Sequence, residues 1–134
     1  MEQQDFTIER RIYYHNTDAG GVVYYANYLK LLEEGRTEFC RSRGIDTGKL
    51  WAQGIGFPVV HVEVDYKSPA RYADLIRIAT RIEKVGNSSL HFSQEITRDG
   101  QLLVRAKTVW ACVGGGQGFK SSIPLPAEVT AKLT

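Results

Sequence analysis

The chain is poor in cysteine, short of apolar runs and nearly free of charge bias. Only two cysteines occur in 134 residues, Cys40 and Cys112, and neither sits in a Cys-x-x-Cys or Cys-x-x-His spacing. That argues against a disulfide framework or a zinc site, and for two small buried hydrophobes in a reducing compartment. No apolar run approaches the roughly 20 residues of a membrane-crossing helix. The opening Met-Glu-Gln-Gln-Asp is acidic and polar, unlike a secretory signal, so a cytoplasmic protein is expected. A net charge of +2, with both signs interleaved and no Lys/Arg cluster, excludes a nucleic-acid footprint. A length of 134 residues, 43% of them hydrophobic and 24% charged, fits one globular domain over residues 1–134.

The pattern within that domain is a strand, one long helix and then a meander. Residues 7–15 are β-branched and aromatic, a first strand. From about Tyr24 the apolar period changes from two to 3.6. Tyr28, Leu31, Leu32, Gly35 and Phe39 form the inner stripe, and Lys30, Glu33, Glu34, Arg36, Glu38 and Arg41 the polar faces. Gly35 costs roughly 1 kcal/mol of helix propensity, which suits a helix pressed onto a sheet at that point. Arg41, Arg43 and Gly44 supply a cationic last turn and a stop. One short helical turn is expected around Thr47–Gln53.

Residues 57–67 then alternate, with Val60, Val62, Val64 and Tyr66 on one face, until Ser68-Pro69-Ala70-Arg71 breaks the strand. Strands over 75–85, 89–98 and 101–113 follow, joined by hairpins at Gly86-Asn87 and Asp99-Gly100. The last is apolar on both faces near its end, as an interior or covered strand would be. The glycine run 114–118 has no helix behind it and is not a phosphate loop. Residues 119–123 are expected to pair briefly, and 124–133 to form a terminal helix. The fold class is α+β, with one helix against one antiparallel sheet.

The chemistry concentrates at the joint between first strand and helix, His-Asn-Thr-Asp-Ala-Gly-Gly-Val-Val-Tyr-Tyr. Asp18 is a lone carboxylate, and Gly20 and Gly21 let the backbone turn tightly. The following helix start directs free N–H groups and a positive dipole end into the same space. A carboxylate facing oxyanion donors is enough to hydrolyse an activated acyl group. Read locally, Asp18 is more readily an Asx-turn or capping residue, which Asp-x-Gly sequences supply routinely. Tyr14, beside the turn, is the best pocket candidate, whereas Tyr24 and Tyr28 suit core or interface positions. His15 and His61 sit on solvated strand faces, and Glu33 suits a contact that holds the helix.

Thr-Asp-Ala-Gly-Gly-Val-Val-Tyr, then Glu-Glu-Gly-Arg-Thr-Glu in the helix, then Tyr-Lys-Ser-Pro-Ala-Arg, make the chain resemble the hotdog-fold acyl-CoA thioesterases. Within them it is most similar to the 4-hydroxybenzoyl-CoA thioesterase family and its Tol-Pal-associated branch. The likeness runs from about residue 7 to 132. It implies a curved antiparallel sheet wrapped round the long helix, and homodimers or homotetramers with active sites at subunit interfaces. It implies acyl-CoA as substrate and no metal or redox cofactor. Asp18 takes the place of the catalytic carboxylate, as nucleophile or general base. The Tyr25 backbone N–H takes that of the group polarising the thioester carbonyl, and Gly21 and Val22 stand on the substrate-facing turn. Many relatives carry histidine where this chain has Tyr25. The basic cluster of the 4-hydroxybenzoyl-CoA enzyme is missing at Gly86-Asn87-Ser88, which leaves Lys67, Arg71 and Lys84 as candidates for the CoA phosphates. A non-catalytic acyl-CoA or acyl-carrier-protein binding module of the same fold is the alternative.

Overall fold

The computed structural model describes residues 5–114 and 121–134. Strand β1 (Phe6–Arg11) leads through a 3-10 turn at Tyr14–Asn16 to helix α1 (Asn27–Ser42) and a short helix α2 (Thr47–Ala52). Strands β2 (Val59–Tyr66), β3 (Leu75–Val85), β4 (Ser89–Arg98) and β5 (Gln101–Ala111) follow. A two-residue pair, β6 (Val113–Gly114) with β7 (Ser121–Ser122), precedes α3 (Ala127–Leu133). The main sheet has the order β1-β3-β4-β5-β2 and is antiparallel throughout.

Most of the expected elements are present, with shifted ends. The first strand stops at Arg11, because Tyr13 and Tyr14 carbonyls turn to accept the Asn16 and Thr17 N–H groups. Helix α1 begins at Asn27, not Tyr24, since Tyr24 N–H is drawn to the Asn16 carbonyl, outside any helix. Strand β5 ends at Ala111 and lies inside the sheet between β4 and β2. Asp99 and Gly100 both take positive φ, as a two-residue hairpin requires. Pro126 precedes the first residue of α3. Most of the glycine run, and Phe119 and Lys120 of the expected brief pairing, lie outside the described residues.

Register shifts in β2, β3 and β5 mark bulges, which bend a sheet and let it curve about a helix. The concave side packs on α1 in two apolar groups. Tyr28, Leu31 and Leu32 meet Ile12, Ile76, Ile78, Ile96 and Val104. Phe39 and Cys40 meet Phe92, Trp110, Leu125 and Val129. Both cysteines are free and buried, and burial pushes the Cys40 thiol up to about 12.

A polar band separates the two groups. Gln94 on β4 donates from Nε2 to the Leu32 carbonyl and to Thr80 Oγ1, both at 2.9 Å. Its Oε1 accepts from Arg36 Nη1 at 3.1 Å. Arg36, expected on a polar face, is therefore buried. The sheet reaches past the apolar stripe and meets the guanidinium with polar side chains rather than leaving it in water. Gly35 is what permits the approach. A Cβ there would stand 2.8 Å from Gln94 Nε2 and Ile78 Cγ2, and 3.0 Å from Thr80 Oγ1.

Gly35→Ala should consequently destabilise the fold despite alanine's higher helix propensity. Overpacking of about 1–3 kcal/mol is opposed by a propensity gain of about 1 kcal/mol. A fall in the urea midpoint without a change in slope would show this; a rise would mean the contact yields freely.

Candidate active site

Residues 16–24 fold into a tight loop held at three levels. Tyr24 N–H donates to the Asn16 carbonyl, Thr17 bridges Val23, and Asp18 N–H donates to the Val22 carbonyl at 2.9 Å. Gly21 closes the tip with φ of +80°. The returning arm is stitched to the segment after β2, with Val23 N–H on the Ala70 carbonyl and Val22 bridging Arg71. That segment is itself clamped. Asp74 Oδ2 accepts from Arg71 N–H at 2.8 Å and from Arg98 Nη1 at 2.6 Å. Partial burial would raise the Asp74 pKa, but these donors outweigh it and hold the carboxyl below its usual range.

Asp18 stands exposed at the loop tip. Its Oδ1 accepts from Gly20 N–H at 2.8 Å, and a Cβ at Gly20 would lie 3.2 Å from that oxygen. The side chain thus makes the Asx-turn of the local reading. Its second oxygen, Oδ2, has no partner among the described residues.

The end of α1 beside this loop is capped by no side chain, because Ala26 occupies the N-cap. The Asn27, Tyr28 and Leu29 N–H groups bond back to the Tyr24, Tyr25 and Ala26 carbonyls. Those of Tyr25 and Ala26 find no acceptor among the described residues, which leaves two donors near the positive end of the helix dipole. Tyr25 precedes the helix rather than opening it. Its carbonyl also accepts from Tyr66 Oη at 3.2 Å, which fixes the peptide beside β2. Burial raises the pKa of Tyr28 and of Tyr66, so both phenols stay neutral near pH 7. Tyr28 Oη accepts from Ala70 N–H at 2.9 Å.

Not every candidate residue gathers here. Lys67 lines a small cavity of about 270 Å³ with Tyr25, Tyr28, Tyr66 and Pro69. Gly21, Val22 and Arg71 belong to the loop and its brace. Tyr14 is 72% exposed and stacks on Tyr72 with ring centroids 3.8 Å apart. Lys84 sits near the opposite end of β3 from Arg71, roughly 30 Å away by strand rise within one chain. Tyr28 is buried, as expected, while Tyr24 is largely exposed. His61 contacts Glu63 at 3.2 Å, and Glu33 accepts from the Thr37 hydroxyl at 3.2 Å, the helix-holding contact expected of it.

Two larger cavities went unread in the sequence. One of about 580 Å³ has walls of Arg36, Trp51, Phe57, Pro58 and Trp110. The other, about 620 Å³, runs between α1 and β2 past Leu29, Glu33, Arg36, Val59 and Val62. Arg36 and Glu33 line both, and a charged residue beside a mid-helix glycine was the available signal. Among the described residues no helix is long and apolar enough to cross a membrane.

Residues 13–133 match the family model of the thioesterase-like superfamily. The acyl-CoA thioester hydrolase YbgC of Escherichia coli O6:H1 is 39% identical over 104 residues, covering 77% of this chain and 78% of its own. The acyl-CoA thioesterase YbgC of Haemophilus influenzae is 34% identical over 132 residues, covering 98% and 96%. Slr0204, a 1,4-dihydroxy-2-naphthoyl-CoA thioesterase from Synechocystis, superposes with a TM-score of 0.87 at 26% identity, covering 96% of this chain and 94% of that structure. The chain belongs to the thioesterase-like superfamily and is a thioester hydrolase of the hotdog fold.

Proposed function

We propose that the protein hydrolyses acyl-CoA thioesters to the free acid and CoA, with Asp18 as the reacting carboxylate and the Tyr25 N–H as oxyanion donor. One observation carries the reading. The same short loop ends in a carboxylate oxygen with no protein partner and leads into a helix start whose first N–H groups have no acceptor.

The thioester carbonyl oxygen would sit on the Tyr25 N–H, close to the dipole end of α1. Asp18 Oδ2 then attacks the carbonyl carbon directly, or takes a proton from a water that does so. Either route forms a tetrahedral oxyanion whose charge falls on the Tyr25 N–H, and collapse breaks the C–S bond and releases CoA thiolate. On the direct route water then cleaves the acyl-aspartyl anhydride, and on the water route Asp18 passes the proton it took to the departing thiolate, so both routes regenerate the carboxylate. Tyr25 contributes through its main chain, so a tyrosine is acceptable where many relatives have histidine. Lys67, lining the small cavity with Tyr25, and Arg71, on the brace, are the cations assigned to the CoA phosphates in this reading. Free, buried thiols at Cys40 and Cys112 fit a cytoplasmic setting.

A second copy of the chain completes this site in our reading. Strand β2 is the last in the sheet order, and Val59, Val60, Val62 and Tyr66 are exposed along it. An uncovered apolar edge is normally paired or protected.

Thiol release from a panel of acyl-CoAs tests the chemistry. Asp18→Asn and Asp18→Ala should each lower kcat by at least about 100-fold, the scale of losing a reacting group or an oxyanion donor. Tyr25→Pro, which deletes the N–H, should lose far more than Tyr25→Phe. Turnover surviving both Asp18 substitutions removes that residue from the mechanism, and tight CoA binding without turnover points to a binding module. Light scattering should find a dimer or tetramer at micromolar concentration; a species of 15.0 kDa alone would contradict the shared site.

A further inference from the structure

The buried guanidinium of Arg36 is only half used. The residue is 5% exposed. Its Nη1 donates to Gln94 Oε1 and, at 3.4 Å, to Thr108 Oγ1, and the group lies over the Trp110 ring at 5.8 Å. Nε is buried with no hydrogen-bond partner. Among the described residues Nη2 likewise donates to no group, and no carboxylate there stands within ion-pair distance. Nε and Nη2 share one edge of the fork, the edge that meets a carboxylate with two parallel hydrogen bonds. Burying a cation without its counter-charge is costly, and burial does pull the Arg36 pKa down. The sheet nonetheless holds the group firmly, with Gln94 anchored to Thr80 and the helix backbone.

This half-used edge belongs to a residue that lines both large cavities. The cavity between α1 and β2 begins at Leu29, one turn beyond Tyr25, and Arg36 lies about 10 Å further along the helix axis. Leu29, Val59 and Val62 give one cavity its apolar wall beside Lys30, Glu33 and Glu34, the last already paired with Arg10, and Phe57, Pro58 and Trp110 line the other.

We propose that Arg36 receives a carboxylate at the far end of the acyl chain, so that the preferred substrates are CoA half-thioesters of medium-length dicarboxylic acids. The proposal rests on the acyl-CoA reading above and supplies its substrate class. Glu33, the exposed acid lining both cavities, opposes such a ligand from the rim, where water screens it. Lys30 on the same cavity favours it. Arg36 is a specificity determinant, with no part in breaking the thioester.

Two measurements on the full-length protein test this. The first compares kcat/KM for adipoyl-, suberoyl- and sebacoyl-CoA with that for the unsubstituted acyl-CoAs of equal length. The second titrates suberate and the neutral octane-1,8-diol into the protein by calorimetry and needs no turnover. Wild type should prefer the carboxylated member of at least one substrate pair, and suberate over octane-1,8-diol, by about tenfold or more, the scale of a charge-assisted hydrogen bond. Arg36→Gln and Arg36→Met should bring both ratios to one or below, and Glu33→Gln should raise them. Equal or weaker binding of suberate by wild type would overturn the proposal, as would a preference persisting in both Arg36 variants. If neither Arg36 variant folds, Glu33→Gln decides, and an unchanged or lower ratio counts against it. Should no acyl-CoA be hydrolysed at all, the proposed activity fails, while the calorimetric ratio still decides the role of Arg36.

Discussion

The close approach of α1 to the sheet at Gly35 is the constraint from which the rest follows. With no side chain at that position, Gln94 reaches the Leu32 carbonyl and binds the helix backbone directly to the middle strand. The contact divides the core into two apolar groups with a hydrogen-bonded band between them. It also sets the height of α1 over the sheet, and so the position of the helix start relative to the Asp18 loop.

The loop is fixed from the opposite side. Val22 and Val23 are tied to Ala70 and Arg71, and Asp74 and Arg98 brace that segment in turn. Helix start and loop therefore rest on the same sheet through independent contacts. That is what a reaction centre requires, since small displacements of a donor or nucleophile cost rate steeply. The Asx-turn at Asp18 belongs to the same arrangement. One oxygen is spent on orienting the side chain, and the other stays free.

Much of this was legible in the sequence because local signals agreed with the fold. The alternation in residues 75–85 and 89–98, the Asp99-Gly100 hairpin and the mid-helix glycine each have a local physical cause, and each appears where expected. The helix start was misplaced because Tyr24–Ala26 continue the apolar period while their backbone is claimed by the loop, a non-local effect. Arg36 was misassigned for a related reason. Helical periodicity places it beside the stripe, but only the reach of Gln94, 58 residues away, shows that the sheet covers that flank. The cavities depend on how far β2 extends beyond α1, which no local pattern encodes. That the Asp18 turn leads directly into the helix start was legible from residue order alone, whereas the separation of Lys84 from that joint needed the strand register.

The central claim is that the Asp18 carboxylate and the Tyr25 N–H act on the same acyl carbon. A crystal structure with a non-hydrolysable acyl-CoA analogue, its thioester sulfur separated from the carbonyl by one methylene, tests this most directly. The account predicts the analogue's carbonyl oxygen about 3 Å from Tyr25 N and Asp18 Oδ2 within about 3.5 Å of the carbonyl carbon or of an intervening water. A carbonyl seated elsewhere, with Asp18 still turned to Gly20 and far from the acyl group, would contradict it.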